Sequence, residues 1–128
     1  VISFNGKSIL IADDEQLIRE IFVEVFSSLN AVVTEAHNGK EAFELLKTNN
    51  FNALISDIRM PGGDGIRLLE QIQNELPYQP KIFLCSGFSD IDSAKAEELN
   101  VLEVFPKPFV VKTVVQAVAG ALGCSPNA

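Results

Sequence analysis

A chain of 128 residues suffices for one compact domain that buries about two-thirds of its unfolded surface, so no second domain is sought. With 47% apolar residues in separate short blocks, a disordered chain and a membrane-spanning segment are both disfavoured. Lys and Arg number 10 against 17 Asp and Glu, and the net charge of −7 argues against direct contact with nucleic acid or an anionic membrane surface. Two cysteines, Cys85 in an apolar run and Cys124 near the end, make no disulfide framework, which points to reduced thiols and a cytoplasmic setting. Residues 1–8 lack the order of a signal peptide, and the chain opens on Val1 as a fragment or a processed chain would.

Apolar stretches rich in β-branched residues recur at about 8–12, 31–34, 53–56, 81–85 and 101–105, and these read as strands. Between the first two the period changes. Leu17, Ile18, Ile21, Phe22, Val25, Phe26 and Leu29 fall on one face of a helix, with Arg19, Glu20 and Glu24 off it. Asn38 followed three residues later by Glu41 opens a second helix with Phe43, Leu45 and Leu46 on its core face. Asp64 caps a third, carrying Leu68, Leu69, Ile72 and Leu76. A weaker fourth helix is expected from about Asp90 to Leu99, and a fifth from near Phe109. On the fifth, Val110, Val114, Ala117 and Ala121 form one stripe, and Val111, Val115, Val118 and Leu122 a second beside it. That arc is wide enough to leave Val111 and Val115 partly exposed. The phenylalanines at 22, 26, 43 and 51 read as core. Five strands alternating with five helices imply an α/β fold: a doubly wound parallel sheet with helices on two faces. Residues 1–124 are expected to be one domain with its core at about 7–122, and 125–128 a short tail.

In an open parallel sheet, ligands bind outside the carboxyl ends of the strands. There the sequence places Asp13-Asp14, Asp57, Ser86 and Lys107-Pro108, bringing three carboxylates, a hydroxyl and an ammonium to one rim. Three crowded carboxylates call for a hard divalent cation. Mg²⁺ fits best, because it takes few protein oxygens and keeps waters for a phosphate. A carboxylate oxygen could then attack a phosphoryl group in line while Lys107 and Ser86 hold its equatorial oxygens. Each residue has a plainer reading as well: Asp13 or Asp14 as a helix cap, Asp57 or Ser86-Gly87 as a turn, Lys107 as a solvated charge. His37, alone beside Asn38-Gly39, has no partners for a metal role, and Cys85 reads as an inert core residue.

Asp13-Asp14 after the first strand, Asp57-Ile58-Arg59-Met60-Pro61 with Gly65, Ser86 after an apolar strand, and Lys107-Pro108-Phe109 together resemble the receiver domains of response regulators, over roughly residues 7–122. The resemblance implies a flavodoxin-like five-stranded sheet of order 2-1-3-4-5. It makes Asp57 the phosphoacceptor. Asp14, Asp57 and the backbone carbonyl of Arg59 become Mg²⁺ ligands, with Asp13 acting mostly through water. Ser86 and Lys107 would each bond a phosphoryl oxygen, and the Lys107–Pro108 peptide would be cis. The implied donors are a histidine kinase or a histidine phosphotransfer domain. The output would be a second domain or a second copy, met through the face of the fourth helix, fifth strand and fifth helix. Such a module promotes its own phosphorylation and dephosphorylation without being a turnover enzyme. The aromatic residue common in the family three positions before the lysine is Val104 here. Phe105 follows it and should face the opposite side. Arg59 and Phe88 hold positions that in the family influence how water reaches the phosphoaspartate, so the resemblance implies that they bear on its lifetime.

Other classes fit less well. A haloacid-dehalogenase-like phosphatase would place a second Asp two residues after Asp57, where Arg59 stands, and would need a cap for which there is no insertion. A flavodoxin-like cofactor binder would want a hydroxyl- and glycine-rich loop where Asp13-Asp14-Glu15 stands. A degenerate receiver that only binds partners would lack some of the five site positions, all of which are filled.

Overall fold

The computed structural model describes residues 2–61, 64–87 and 90–124. Its strands β1 (Ser8–Ala12), β2 (Val32–Ala36), β3 (Ala53–Ser56), β4 (Lys81–Ser86) and β5 (Val101–Pro106) alternate with helices α1 (Gln16–Ser28), α2 (Gly39–Thr48), α3 (Gly65–Glu75), α4 (Ser93–Glu98) and α5 (Val111–Ala121). All strand pairs are parallel and the order is β2-β1-β3-β4-β5. β1, β3 and β4 have neighbours on both sides and helices on both faces, which is why their sequences are apolar almost throughout.

Alternation along the strands divides the core into two layers. Leu10, Ala12, Leu54, Ile82 and Leu84 pack under α2 and α3 with Phe43, Leu46, Leu68, Leu69 and Ile72. Ile9, Ile11, Ala53, Ile55, Phe83 and Cys85 face the other way, under α1 and α5, with Phe22, Phe26, Val114 and Val118. Phe105 joins this second layer, stacked on Phe83 at 6.5 Å, while Val104 packs on the first, so the two do point to opposite faces.

Local signals explain most helix starts. The Asn38 side chain accepts the Glu41 N–H at 2.8 Å, and the Glu41 carboxylate accepts the His37 N–H at 3.0 Å. Asp64 accepts the Arg67 N–H at 2.8 Å. Asn30 and Asn100 take positive φ (69° and 61°) just past α1 and α4, a helix-ending conformation that asparagine tolerates better than most residues.

Several expectations are corrected. On α1, Leu17 and Ile21 are 72% and 46% exposed, whereas Arg19 is only 5% exposed. The buried stripe is 19-22-26, at i, i+3, i+7, and Arg19 fits it because its guanidinium donates to the Asp13 carbonyl (2.7 Å) and pairs with Glu35 (3.2 Å). α4 starts at Ser93 under an Asp92 cap, later than expected, because the Asp90 carboxylate is engaged by Ser86 and Gly87. α5 starts at Val111, two residues past Phe109, whose ring instead stacks on Phe22 at 5.4 Å. Val111 is half-buried as expected, but Val115 is buried, and Val110 is the exposed member of this helix start. Among the described residues, no helix is long and apolar enough to cross a membrane.

Candidate functional site

The backbone ladder itself assembles the rim. The Asp13 N–H reaches the Ala36 carbonyl (3.2 Å), the Asp57 N–H the Ala12 carbonyl (2.9 Å) and the Lys107 N–H the Ser86 carbonyl (2.9 Å). Each of these three residues therefore continues its strand by one hydrogen bond, and their side chains meet that of Ser86 at the carboxyl edge. Ser86 is the last residue of β4 and is fully buried.

Asp57 lies at the centre. Its Oδ2 receives the Lys107 ammonium at 3.0 Å, and its Oδ1 the Ile58 N–H at 2.7 Å and the Arg59 N–H at 3.4 Å; the Ser86 oxygen lies 3.4 Å from the same Oδ1. Lys107 also lies 3.7 Å from Asp13 Oδ2 and 3.6 Å from Glu15 Oε1, and the Lys107–Pro108 peptide is cis. Burial pulls the Lys107 pKa down, but the hydrogen bond to Asp57 and the charges of Asp13, Asp57 and Glu15 outweigh it, so the ammonium is held above its ordinary value.

One cation among so many carboxylates leaves the cluster short of positive charge. Oxygens of Asp13, Asp14 and Asp57 lie within 4.8 Å of one another, with Asp13 and Asp57 buried and Asp14 exposed. Burial pushes the Asp13 carboxyl up to about 6; the Glu15 N–H and Lys107 oppose this, while Asp57 and Asp14 add to it. An all-oxygen, electron-rich cluster open on one side is what a hard divalent cation requires. These residues could hold a metal.

The raised Asp13 pKa has a measurable consequence. Between an ordinary carboxylate value of about 3.9 and about 6, the folded chain keeps a proton that the unfolded chain has released. The stability of the metal-free protein therefore falls as pH rises through this window. Asp13→Asn removes that loss while keeping an acceptor for the Glu15 N–H. It is expected to stabilise the metal-free chain by about 2–3 kcal/mol at pH 7 and by little at pH 4. Urea melts at the two pH values check this, and equal effects at both would contradict it.

The site opens into a cleft of about 340 Å³ lined by Asp14, Glu15, Asp57, Arg59, Gly87, Asp90 and Lys107. A larger cleft of about 540 Å³ between α2 and α3 contains none of the clustered carboxylates. Arg59 stands at the rim with an exposed side chain, its Nε 2.6 Å from Asp90 Oδ1. Asp90, missed as a site residue, takes the Ser86 hydroxyl at 2.6 Å and the Gly87 N–H at 2.8 Å on Oδ2. The hydrogen bond from Ser86, with those from Gly87 and Arg59, holds its carboxyl below the ordinary range. The signal available was its spacing, four residues after a serine at a strand end. His37 lies elsewhere, paired with Glu41 at 2.9 Å. The Cys85 thiol is pushed up to about 12 by burial and is no nucleophile. Phe88 lies outside the described residues.

A doubly wound parallel sheet with acidic groups, a hydroxyl and a lysine gathered at its carboxyl edge defines the class. The family model of the response regulator receiver domain matches residues 9–119, and the chain belongs to that family. It is 34% identical to the DNA-binding transcriptional regulator NtrC of Escherichia coli K12 over 113 residues, covering 88% of this chain and 24% of that protein. It is 40% identical to the Regulator of RpoS of the same organism over 103 residues, covering 80% of this chain and 31% of that one. The chain thus spans about a quarter to a third of the length of these relatives. Among solved structures, the receiver domain of a Francisella response regulator superposes with a TM-score of 0.82 at 25% identity, covering 92% of this chain and 98% of that one.

Proposed function

We propose that this domain is a phosphoacceptor: Asp57 takes a phosphoryl group from a phosphohistidine on a histidine kinase or a histidine phosphotransfer domain, in a Mg²⁺-dependent reaction. The observation that carries this reading is the Asp57 carboxylate, buried at the strand ends with Lys107 at 3.0 Å and the Ser86 hydroxyl at 3.4 Å. A carboxylate oxygen of Asp57 bonds to phosphorus, the phosphorus–nitrogen bond breaks, and the imidazole leaves with the electron pair. Lys107 and Ser86 would each meet a phosphoryl oxygen as charge spreads over them, a role that their distances to Asp57 support. Mg²⁺ would be held by Asp14, Asp57 and the Arg59 carbonyl, with Asp13 through water, and when bound supplies the positive charge that lets an anion approach this acidic rim.

Asp57 is itself modified in this step, which suits a signalling domain rather than a turnover enzyme. The face of α4, β5 and α5 is the proposed output surface, and the exposed apolar side chains of Leu102 and Val110 support it. Its partner would be an output domain or a second copy. NtrC is described as DNA-binding, but a net charge of −7 argues against such a contact by this chain. Two free, buried cysteines agree with a cytoplasmic setting.

The test is intact-mass spectrometry after incubation with acetyl phosphate. With Mg²⁺ the chain should gain one phosphoryl group, and with the metal chelated it should gain none. No gain in either case would overturn the reading. For the metal, Asp14→Ala should weaken Mg²⁺ binding about tenfold or more and Asp13→Ala by less. Titration calorimetry suits a chain without tryptophan. The reverse ranking would exchange the two roles.

A further inference from the structure

Asp90 belongs neither to the acidic cluster nor to a helix cap, yet its side chain is only 5% exposed and both oxygens are engaged. Oδ2 takes the Ser86 hydroxyl at 2.6 Å and the Gly87 N–H at 2.8 Å, and Oδ1 takes Arg59 Nε at 2.6 Å. The Ser86 oxygen is 3.4 Å from Asp57 Oδ1, so at rest its proton is directed to Asp90. A serine hydroxyl has a single proton to donate. It cannot serve Asp90 and a phosphoryl oxygen on Asp57 together.

We propose that Asp90 is a positioning residue that holds Ser86 in a resting hydrogen bond and so opposes occupation of Asp57 by a phosphoryl group, with Arg59 anchoring this latch to the segment after β3. The inference rests on the phosphoacceptor reading. A short hydroxyl–carboxylate bond is among the stronger kinds, and a phosphoryl oxygen is an acceptor of similar quality, so the exchange is nearly balanced. Asp90 then tunes the equilibrium without blocking it. By linkage, whatever Asp90 subtracts from phosphoryl binding, phosphoryl binding subtracts from the Asp90–Ser86 contact.

The sign of the effect separates a latch from a strut. A residue that merely braced the segment would, on removal, let Ser86 wander and weaken binding. A competitor, on removal, strengthens it. The probe is fluoroberyllate with Mg²⁺, a stable phosphoryl mimic on carboxylates, titrated into the full chain and followed by ¹⁹F NMR. Asp90→Ala should tighten binding about fivefold to tenfold. Loss of a nearby negative charge would also favour an anion, so the same substitution is repeated in a Ser86→Ala background, where the tightening should shrink to under about twofold. If Asp90→Ala does not fold, Asp90→Asn keeps the shape with a weaker acceptor and should tighten binding about twofold to threefold, again only when Ser86 is present. Unchanged or weakened binding in the variant would overturn the latch, and so would equal tightening without the serine hydroxyl. Failure of the wild-type chain to bind the mimic would instead remove the phosphoacceptor reading, and the latch with it.

Discussion

Asp57→Asn is expected to leave a folded domain that gains no phosphoryl group from acetyl phosphate and Mg²⁺, a loss of at least about 100-fold in rate. The amide oxygen can still accept the Ile58 N–H that the carboxylate accepts at 2.7 Å, so the segment after β3 keeps its main local anchor. Lys107 retains Asp13 and Glu15 within 3.7 Å. Removing one charge from a crowded acidic cluster also relieves repulsion, so stability should not fall. The amide, however, is far less nucleophilic than the carboxylate, and it is also a poorer ligand for a cation. Intact-mass time courses check this, and modification of the variant at the wild-type rate would place the chemistry elsewhere.

Gly65→Ala is expected to destabilise the domain by about 2–4 kcal/mol, or roughly 10 °C in Tm. A Cβ at this position would lie within forbidden distance of the Asp57 carbonyl oxygen and 2.7 Å from the Ile58 Cα. Both are backbone atoms just past β3, held by the Asp57 N–H bond to the Ala12 carbonyl, so no side chain can swing aside. The Gly65 N–H also bonds the Ile58 carbonyl at 2.7 Å. Withdrawing α3 to make room would break that bond and drag Ile58 and Arg59, whose N–H groups orient Asp57. Phosphorylation should therefore slow as well. Gly120→Ala on α5 is the contrasting case, because its Cβ would meet nothing within 4 Å. There helix propensity alone acts, and a gain of up to about 1 kcal/mol is expected. Urea denaturation of the two variants gives the comparison, and similar effects at both positions would contradict the close-approach role of Gly65.

The sheet was legible because buried parallel strands must be apolar on both faces, and runs such as Ile9–Ala12 and Ala53–Ile55 have no other reading once helices alternate with them. The rim followed from the same logic, since a charged residue directly after such a run has to lie at the strand's carboxyl end. What was not legible depends on contacts between distant residues. Arg19 looked like a solvent-facing charge because nothing local reveals that the Asp13 carbonyl and Glu35 wait for its guanidinium. Leu17 and Ile21 extended the apolar pattern of α1, yet they remain on the surface. Asp90 looked like a helix start, and only the folded geometry turns it back onto Ser86. The proton affinity of Asp13 likewise depends on burial and on neighbours brought together by three different strands.

The most direct test of the central claim is chemical trapping of the phosphorylated chain. Borohydride reduces an aspartyl phosphate to homoserine, and peptide sequencing by mass spectrometry then identifies the modified position. Homoserine at position 57, dependent on Mg²⁺ during phosphorylation, is the expected result. Homoserine at position 13 or 14, or a stable phosphate on Ser86 with Asp57 unmodified, would contradict it.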